Sequence, residues 1–302
     1  MPLSKAARKY QRIVQFGSQQ RSWKHYREAV EIVQSGQLGE ISEVKVWDYN
    51  NFYPGFGAPP DADPPPEFGE KYSDVWVGPS PQVAYNPNRF LRHYWFFDYG
   101  GGWQVDWAVH HYDIVHWFME VCAPSTVTAV GGFRSFEQTN TEWPDTFSAI
   151  CEYGPSPVAR KGFLLQYTCR GGCVQAPSVP ESHANMFCGS SASLVIDRSG
   201  YTLTEEFPGT LKSPQVIKKV KGEGVRTPEH VEGFIQALRD RKRPFSDIEE
   251  GHNSPNPGHP MSIAWKVGRQ IRWDADREQV IDDAEANALA TKTYRAPWRL
   301  EV

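Results

Sequence analysis

A series of short apolar, strand-like runs, set too close together for helices to cross between them, constrains this chain more than any other feature. They fall at Thr126–Phe133, Thr146–Tyr153, Gly162–Arg170, Ala184–Gly189, Ser193–Asp197 and Gln215–Val220, and Glu43–Tyr49 alternates in the same way further upstream. A parallel neighbour needs a crossover of a dozen or more residues, whereas antiparallel neighbours are joined by short turns. The spacing therefore predicts an α/β chain of the α+β kind, built on an open, mainly antiparallel sheet. Between the first strand and the rest, Tyr53 to about Glu70 is rich in Pro, Gly and Asp and reads as loop.

Helices are expected on one face of that sheet. One runs from Asp106 to about Met119. Another opens at Thr227-Pro228, an N-cap residue followed by proline at the first helical position, with Val231, Phe234, Ile235 and Leu238 as its apolar stripe. Met261–Arg272 and Asp282–Thr291 complete the set. The first thirty-five residues read differently. Arg12–Gly17 is a short apolar run ending in glycine and predicts a buried strand. A Gln-Gln-Arg-Ser turn follows, then a helix with Tyr26, Ala29, Val30 and Val33 on one face that stops at Gly36.

Composition narrows the partners. With 302 residues and a formal net charge of −4, the chain lacks the clustered cationic charge that nucleic acid binding needs. The basic run Arg239-Asp240-Arg241-Lys242-Arg243 sits where a helix ends and complements its dipole. No apolar run is long enough to span a bilayer and no secretory signal is seen, so no membrane partner and a cytoplasmic setting are expected. The five cysteines include no Cys-x-x-Cys pair and read as reduced thiols. Eleven tryptophans suit an aromatic-lined cleft for a carbohydrate face, though a packed core uses them equally well.

The densest chemistry lies in Asp98-Tyr-Gly-Gly-Gly-Trp-Gln-Val-Asp-Trp-Ala-Val-His-His-Tyr-Asp113. Three glycines allow a tight turn into a helix. Asp106 and His110 are then four apart and project from one helical face, with Asp113 a turn further on. A carboxylate beside an imidazole is an acid/base arrangement in which the acid orients the ring and the ring exchanges a proton near neutral pH. Metal binding is the rival reading. Since His111 is rotated about 100° from His110, the group His110, His111, Asp113 and His116 does not converge on one ion, and no metal is expected.

The stretch Asp98 to Trp117 resembles the substrate-side motif of the glucose–fructose oxidoreductase / inositol dehydrogenase / MocA (Gfo/Idh/MocA) family. Arg12–Ser22, Asn86–Phe90, Pro144–Phe147, Arg272–Asp274, Asp283–Asn287 and Tyr294–Trp298 are similar to that family's other motifs, in the same order. The resemblance implies a Rossmann domain followed by an α/β domain with a mostly antiparallel sheet, which would place a Rossmann remnant at residues 1–40 and the substrate-binding domain at 41–302. It implies oxidation of a sugar or cyclitol hydroxyl with NAD or NADP as cofactor, and a homo-oligomer formed through the open sheet. His110 matches the acid/base and Asp106 its partner, while Gln19, Gln20 and Arg21 match a turn facing the substrate cleft. Arg89, Tyr94, Trp95 and Arg170 are further expected substrate contacts.

The sequence departs from the family in its cofactor half. It has no G-x-G-x-x-G, and Gly55-Phe56-Gly57 and Gly100–Gly102 do not follow a strand in a βαβ unit. In place of the family's Glu-Lys-Pro motif stands Met1-Pro2. About a hundred residues of a Rossmann unit are thus missing from the resemblance, which leaves the strand at Ile13–Phe16 with an open edge. Two other readings remain: a cofactor-free sugar lyase, epimerase or hydrolase using Asp106 and His110, and a non-catalytic carbohydrate-binding or oligomerisation module.

Overall fold

The computed structural model describes residues 2–69, 71–175, 182–207, 212–224 and 227–299. Two helices, α1 (Pro2–Lys9) and α2 (Lys24–Gln34), precede the first strand, β1 (Ile41–Tyr49). A long loop region holds α3 (Pro87–Leu91) and leads into α4 (Trp103–Asp106) and α5 (Val109–Met119). Then come β2 (Thr126–Gly132), β3 (Thr146–Tyr153), β4 (Phe163–Arg170), β5 (His183–Gly189), β6 (Ala192–Asp197), β7 (Gly200–Glu205) and β8 (Gln215–Lys221). The chain closes with α6 (Thr227–Asp240), α7 (Ile248–Asn253), α8 (Gly258–Val267), β9 (Ile271–Asp274), β10 (Gln279–Val280) and α9 (Ala284–Ala288).

The strands form one sheet in the order β10-β9-β2-β3-β4-β1-β5-β6-β7-β8. Only β1 and β4 pair in parallel, and every other pairing is antiparallel, as the strand spacing predicts. Alternation sets the two faces. Phe147, Ala149 and Cys151 of β3, with Leu165 and Tyr167 of β4, are buried against Tyr112, Val115 and Phe118 of α5, Tyr26 and Val33 of α2, and Met261 of α8. Val130, Ile150 and Leu164 on the opposite face stand exposed. The helix-covered face is thus the core.

Several local expectations change. Arg12–Gly17 forms no strand, only a single bridge from Gln15 to Asp247 with Phe16 N donating to Ser246 O at 2.7 Å. A strand exists through its neighbours, and this run has one short loop beside it. The helix expected over Asp106–Met119 is two helices joined at Trp107-Ala108. On α6, Val231 and Ile235 are exposed while His230 and Ala237 face inward, so the apolar stripe is not core. The helix expected from Met261 to Arg272 ends instead at Gly268, whose φ of 68° is the left-handed cap glycine accepts, and Ile271–Asp274 is a strand.

Residues before β1 do not stand apart from the sheet. Trp23, Tyr26, Ala29, Val30 and Val33 join its core, and a buried ion pair locks the turn before α2 in place. Arg21 Nε donates to both oxygens of Asp113 at 3.0 and 2.8 Å, and Ser254 Oγ donates to the same carboxylate at 2.7 Å. Removing one member of a buried pair strands the other charge, which costs about 3–5 kcal/mol. Arg21→Ala and Asp113→Ala are each expected to lower unfolding free energy by that amount in urea titrations, whereas Arg243→Ala at an exposed pair should cost under about 1 kcal/mol.

Candidate functional site

The site begins with the glycine turn. Gly100 passes so near the loop that a Cβ there would lie 2.5 Å from Tyr94 Cα, and Gly102 adopts φ 78°. Gly102 N donates to Tyr94 O at 2.9 Å, which fixes the turn against the aromatic loop before it. From this corner three indoles stack in series: Trp95 on Trp103 with centroids 6.2 Å apart, and Trp103 on Trp107 at 5.6 Å and an interplanar angle of 3°. The series leads from a buried aromatic cluster to the half-buried Trp107, whose face carries Arg198 with Cζ 4.7 Å from the ring centroid.

His110 stands beside this platform, its ring 6.0 Å from Trp107 and edge-on. Its Nδ1 is buried without a hydrogen-bond partner among the described residues. Burial, and then the charge of Arg198, lower its pKa to about 4, so the ring is neutral at pH 7 and able to accept a proton. His183 lies across Trp107 at 6.0 Å and also contacts the ring of His111 at 6.0 Å. Asp48 at the end of β1 is fully buried and accepts from Asn50 Nδ2 at 3.0 Å. Burial pushes its carboxyl well above the ordinary range, opposed by Asn50, the Trp103 indole and Arg198.

The expected Asp106–His110 pair is not formed. The break at Trp107-Ala108 turns the two side chains apart. His110 goes to the platform, whereas Asp106 sits on the concave wall of a neighbouring cleft with His93 as the charge that acts on it. Asp106 is solvent-accessible yet surrounded by protein, which raises its carboxyl pKa.

Three of the expected substrate contacts are committed internally. Gln20 is 2% exposed and bonds to the Tyr26 hydroxyl, and Arg21 is spent on Asp113. Trp95, 1% exposed, is the buried end of the indole series. Arg89 holds Glu142 at 2.8 Å and Asp98 at 3.7 Å and packs over Phe96, a tie within the loop. Arg170 covers the Tyr49 ring at 3.7 Å and donates to the carbonyls of Cys173 and Gln175. Gln19 and Tyr94 are half-buried, the first in the turn before α2 and the second against Trp103 at 5.8 Å. Of the other motif residues, His111 Nδ1 meets Asn185 Oδ1 at 2.5 Å and His116 Nε2 meets the Tyr153 hydroxyl at 2.9 Å, both inside the core. Asp48, His183 and Arg198 were not visible as site residues in the sequence.

The dinucleotide implied by the resemblance can be tested against these residues. A pyrophosphate cradle needs a strand leading through a glycine turn into a helix N-terminus. Gly100–Gly102 instead leads from loop into the four-residue α4, and its turn is closed on the Tyr94 backbone. Gly55 is closed by the Phe136 ring, 2.8 Å from where a Cβ would lie. The described residues do not fit a cradle.

Residues 202–300 match a family model described as oxidoreductase family, C-terminal alpha/beta domain, of the Gfo/Idh/MocA group. No curated protein matches the sequence. Solved structures share the fold at low identity. Levoglucosan dehydrogenase in complex with NADH and L-sorbose is 10% identical with a TM-score of 0.58, over 89% of this chain and 68% of its own. The aldose-aldose oxidoreductase of Caulobacter crescentus, complexed with glycerol, is 15% identical at 0.56, over 89% and 66%. The WlbA dehydrogenase of Bordetella pertussis, with NADH and UDP-GlcNAcA, is 15% identical at 0.55, over 90% and 66%. The chain thus spans about two thirds of the length of these proteins. The matched segment, residues 202–300, is similar to the C-terminal domain of the Gfo/Idh/MocA oxidoreductases, and the chain shares the fold of these solved structures. Among the described residues no helix is long and apolar enough to cross a membrane.

The buried histidines give a pH signature. Burial lowers His111 and His116 to about 3 and His110 to about 4, while in the unfolded chain all three take protons near pH 6.5. Between these values the unfolded state binds more protons, so stability is full above about pH 6.5 and falls as pH drops toward 4. Urea midpoints are expected to decline across that window by an amount on the order of a few kcal/mol in stability. A flat profile from pH 7 to 4.5 would contradict the neutral buried rings.

Proposed function

We propose that the chain is the substrate-handling portion of an oxidoreductase acting on a hydroxyl of a sugar or cyclitol. The observation that carries the reading is His110, a neutral imidazole beside a half-buried indole platform with a guanidinium above it. With its faces taken by Trp103 and Arg198, Trp107 offers its half-buried edge as the apolar border beside which a pyranose or cyclitol ring is held. His110 then accepts the proton of the hydroxyl, and Arg198 orients neighbouring oxygens as a fixed donor fork. Asp106 borders the site as a carboxyl facing the adjoining cleft and is not the partner that orients His110. Gln19 and Tyr94 remain within the proposed substrate region.

NAD or NADP would supply the hydride acceptor when bound, in line with the NADH in two of the similar structures. The described residues of this chain offer no cradle for its pyrophosphate. The L-sorbose and UDP-GlcNAcA bound in those structures support a polyhydroxylated partner. The exposed outer sheet face, with Val130, Ile150 and Leu164, supports a homo-oligomer formed there.

The test combines binding and turnover in the purified chain. Titration with NADH and NADPH is expected to give no saturable enhancement of reduced-nicotinamide fluorescence at micromolar concentration. With dinucleotide in large excess, polyol-dependent nicotinamide reduction is expected and should fall by about two orders of magnitude in His110→Ala. Sugar turnover without any dinucleotide would contradict the redox reading and favour proton-abstraction chemistry at the same ring. Absence of both turnover and polyol binding would contradict the reading as a whole.

A further inference from the structure

Behind the glycine turn lies a cleft of about 840 Å³, within the size range of small-molecule sites. Its walls come from the glycine turn, α7, α8, β10 and the segment after α9, with aromatic surface from the half-buried Phe97 and Tyr99. Two ammonium groups define its charge. Lys266 Nζ lies 3.3 Å from the Phe97 ring centroid, and Lys292 Nζ donates to the backbone carbonyl of Asp98 at 2.9 Å. Among the described residues no carboxylate forms an ion pair with either.

The surrounding charges explain why. Asp98 and Glu142 are the carboxylates whose fields reach these lysines, and both are engaged by Arg89 at 3.7 and 2.8 Å. Glu278 is hydrogen-bonded to the His252 ring, and Arg277 lies 3.8 Å from Asp274. Asp106 stands on the same wall, its carboxyl pKa raised by burial. His259 faces the cleft, solvent-accessible but surrounded, and is held neutral by burial and by Lys292. The lysines repel one another, and burial lowers both. What remains is a pair of ammonium groups with no carboxylate in direct contact, beside aromatic rings and polar side chains such as Asn256 and Ser262.

We infer that this cleft binds an anionic polyhydroxylated ligand, with Lys266 and Lys292 holding its phosphate or carboxylate and the wall of Phe97 and Tyr99 taking its sugar body. An anion here offsets the repulsion between the two ammonium groups, and charge-assisted hydrogen bonds are the stronger kind. The aromatic wall supplies the surface that a sugar face needs and a bare anion does not. Asp106, on the wall of this cleft, directly precedes Trp107 in the chain, so the cleft adjoins the proposed reaction site through that joint. The inference concerns binding and stands or falls independently of the redox reading.

Calorimetric titration of the whole chain with glucose 6-phosphate, gluconate, glucose and inorganic phosphate tests it. At least one charged sugar is expected to bind about tenfold or more tightly than either glucose or phosphate. The preferred one names the anion: glucose 6-phosphate for a phosphate ligand, gluconate for a carboxylate. Lys266→Met and Lys292→Met should each weaken that binding roughly tenfold, and Lys266→Arg and Lys292→Arg, which keep the charge, should restore most of it. Thermal melts of the four variants confirm folding, and the arginine pair decides the matter if a methionine variant unfolds. Four results overturn the inference: glucose binding as tightly as the charged sugars, phosphate alone binding as tightly, folded methionine variants that bind like wild type, or no binding by any probe. Because none of these readouts involves nicotinamide or His110, failure here leaves the proposed reaction site standing.

Discussion

The buried pair of Arg21 and Asp113 holds together the parts from which the site is made. It joins the turn before α2 to the middle of α5, and Ser254 brings α7 to the same carboxylate. The Arg21 guanidinium also lies over Trp117 at 5.4 Å and reaches Glu250 at 3.4 Å. With both charges under a tenth exposed, the pair is worth little against an apolar replacement but a great deal against half a pair. Its consequence is positional. Helix α5 cannot rotate or slide without breaking the node, so the first turn of α5, where His110 sits, is fixed against the sheet.

The second fixed point is the glycine corner. Because Gly100 and Gly102 let the backbone fold onto Tyr94, α4 is only one turn long and the chain restarts its helix after Trp107. That restart separates Asp106 from His110 and gives the region two faces. One is the indole platform with a neutral imidazole and Arg198. The other is the lysine-bearing cleft with Asp106 on its wall. A continuous helix would have put the acid and the imidazole on one face. The observed joint trades that pair for two adjoining surfaces of different charge.

Much of the fold was legible because the signals are local. Period-two alternation marked β2, β3 and β4 almost to the residue, since each buries one face against the same helix layer. Helix α2 was legible from its stripe and from Gly36. The Arg12–Gly17 strand misled because apolar residues favour a strand only where a ladder partner exists, and Ser246-Asp247 offers a single bridge. The joint at Trp107 was hidden because Asp106 to Met119 keeps helical periodicity across the break. Within the site, His110 was readable from its motif, but Arg198 was not. A charged residue in a two-residue hairpin turn between β6 and β7 ordinarily faces solvent, and only the tertiary fold lays that turn over Trp107. The same reasoning applies to Gln20 and Trp95, whose polar and aromatic character drew attention but is used up inside the protein.

The central claim is that the Trp107–His110 surface receives a neutral polyol ring. Proton–nitrogen correlation spectra of the indole and imidazole groups, recorded while a cyclitol such as myo-inositol is added, report on it directly. The account expects saturable shifts of the Trp107 indole and the His110 ring, absent in Trp107→Ala for the latter. Spectra in which both groups stay unmoved while the protein remains folded would contradict it.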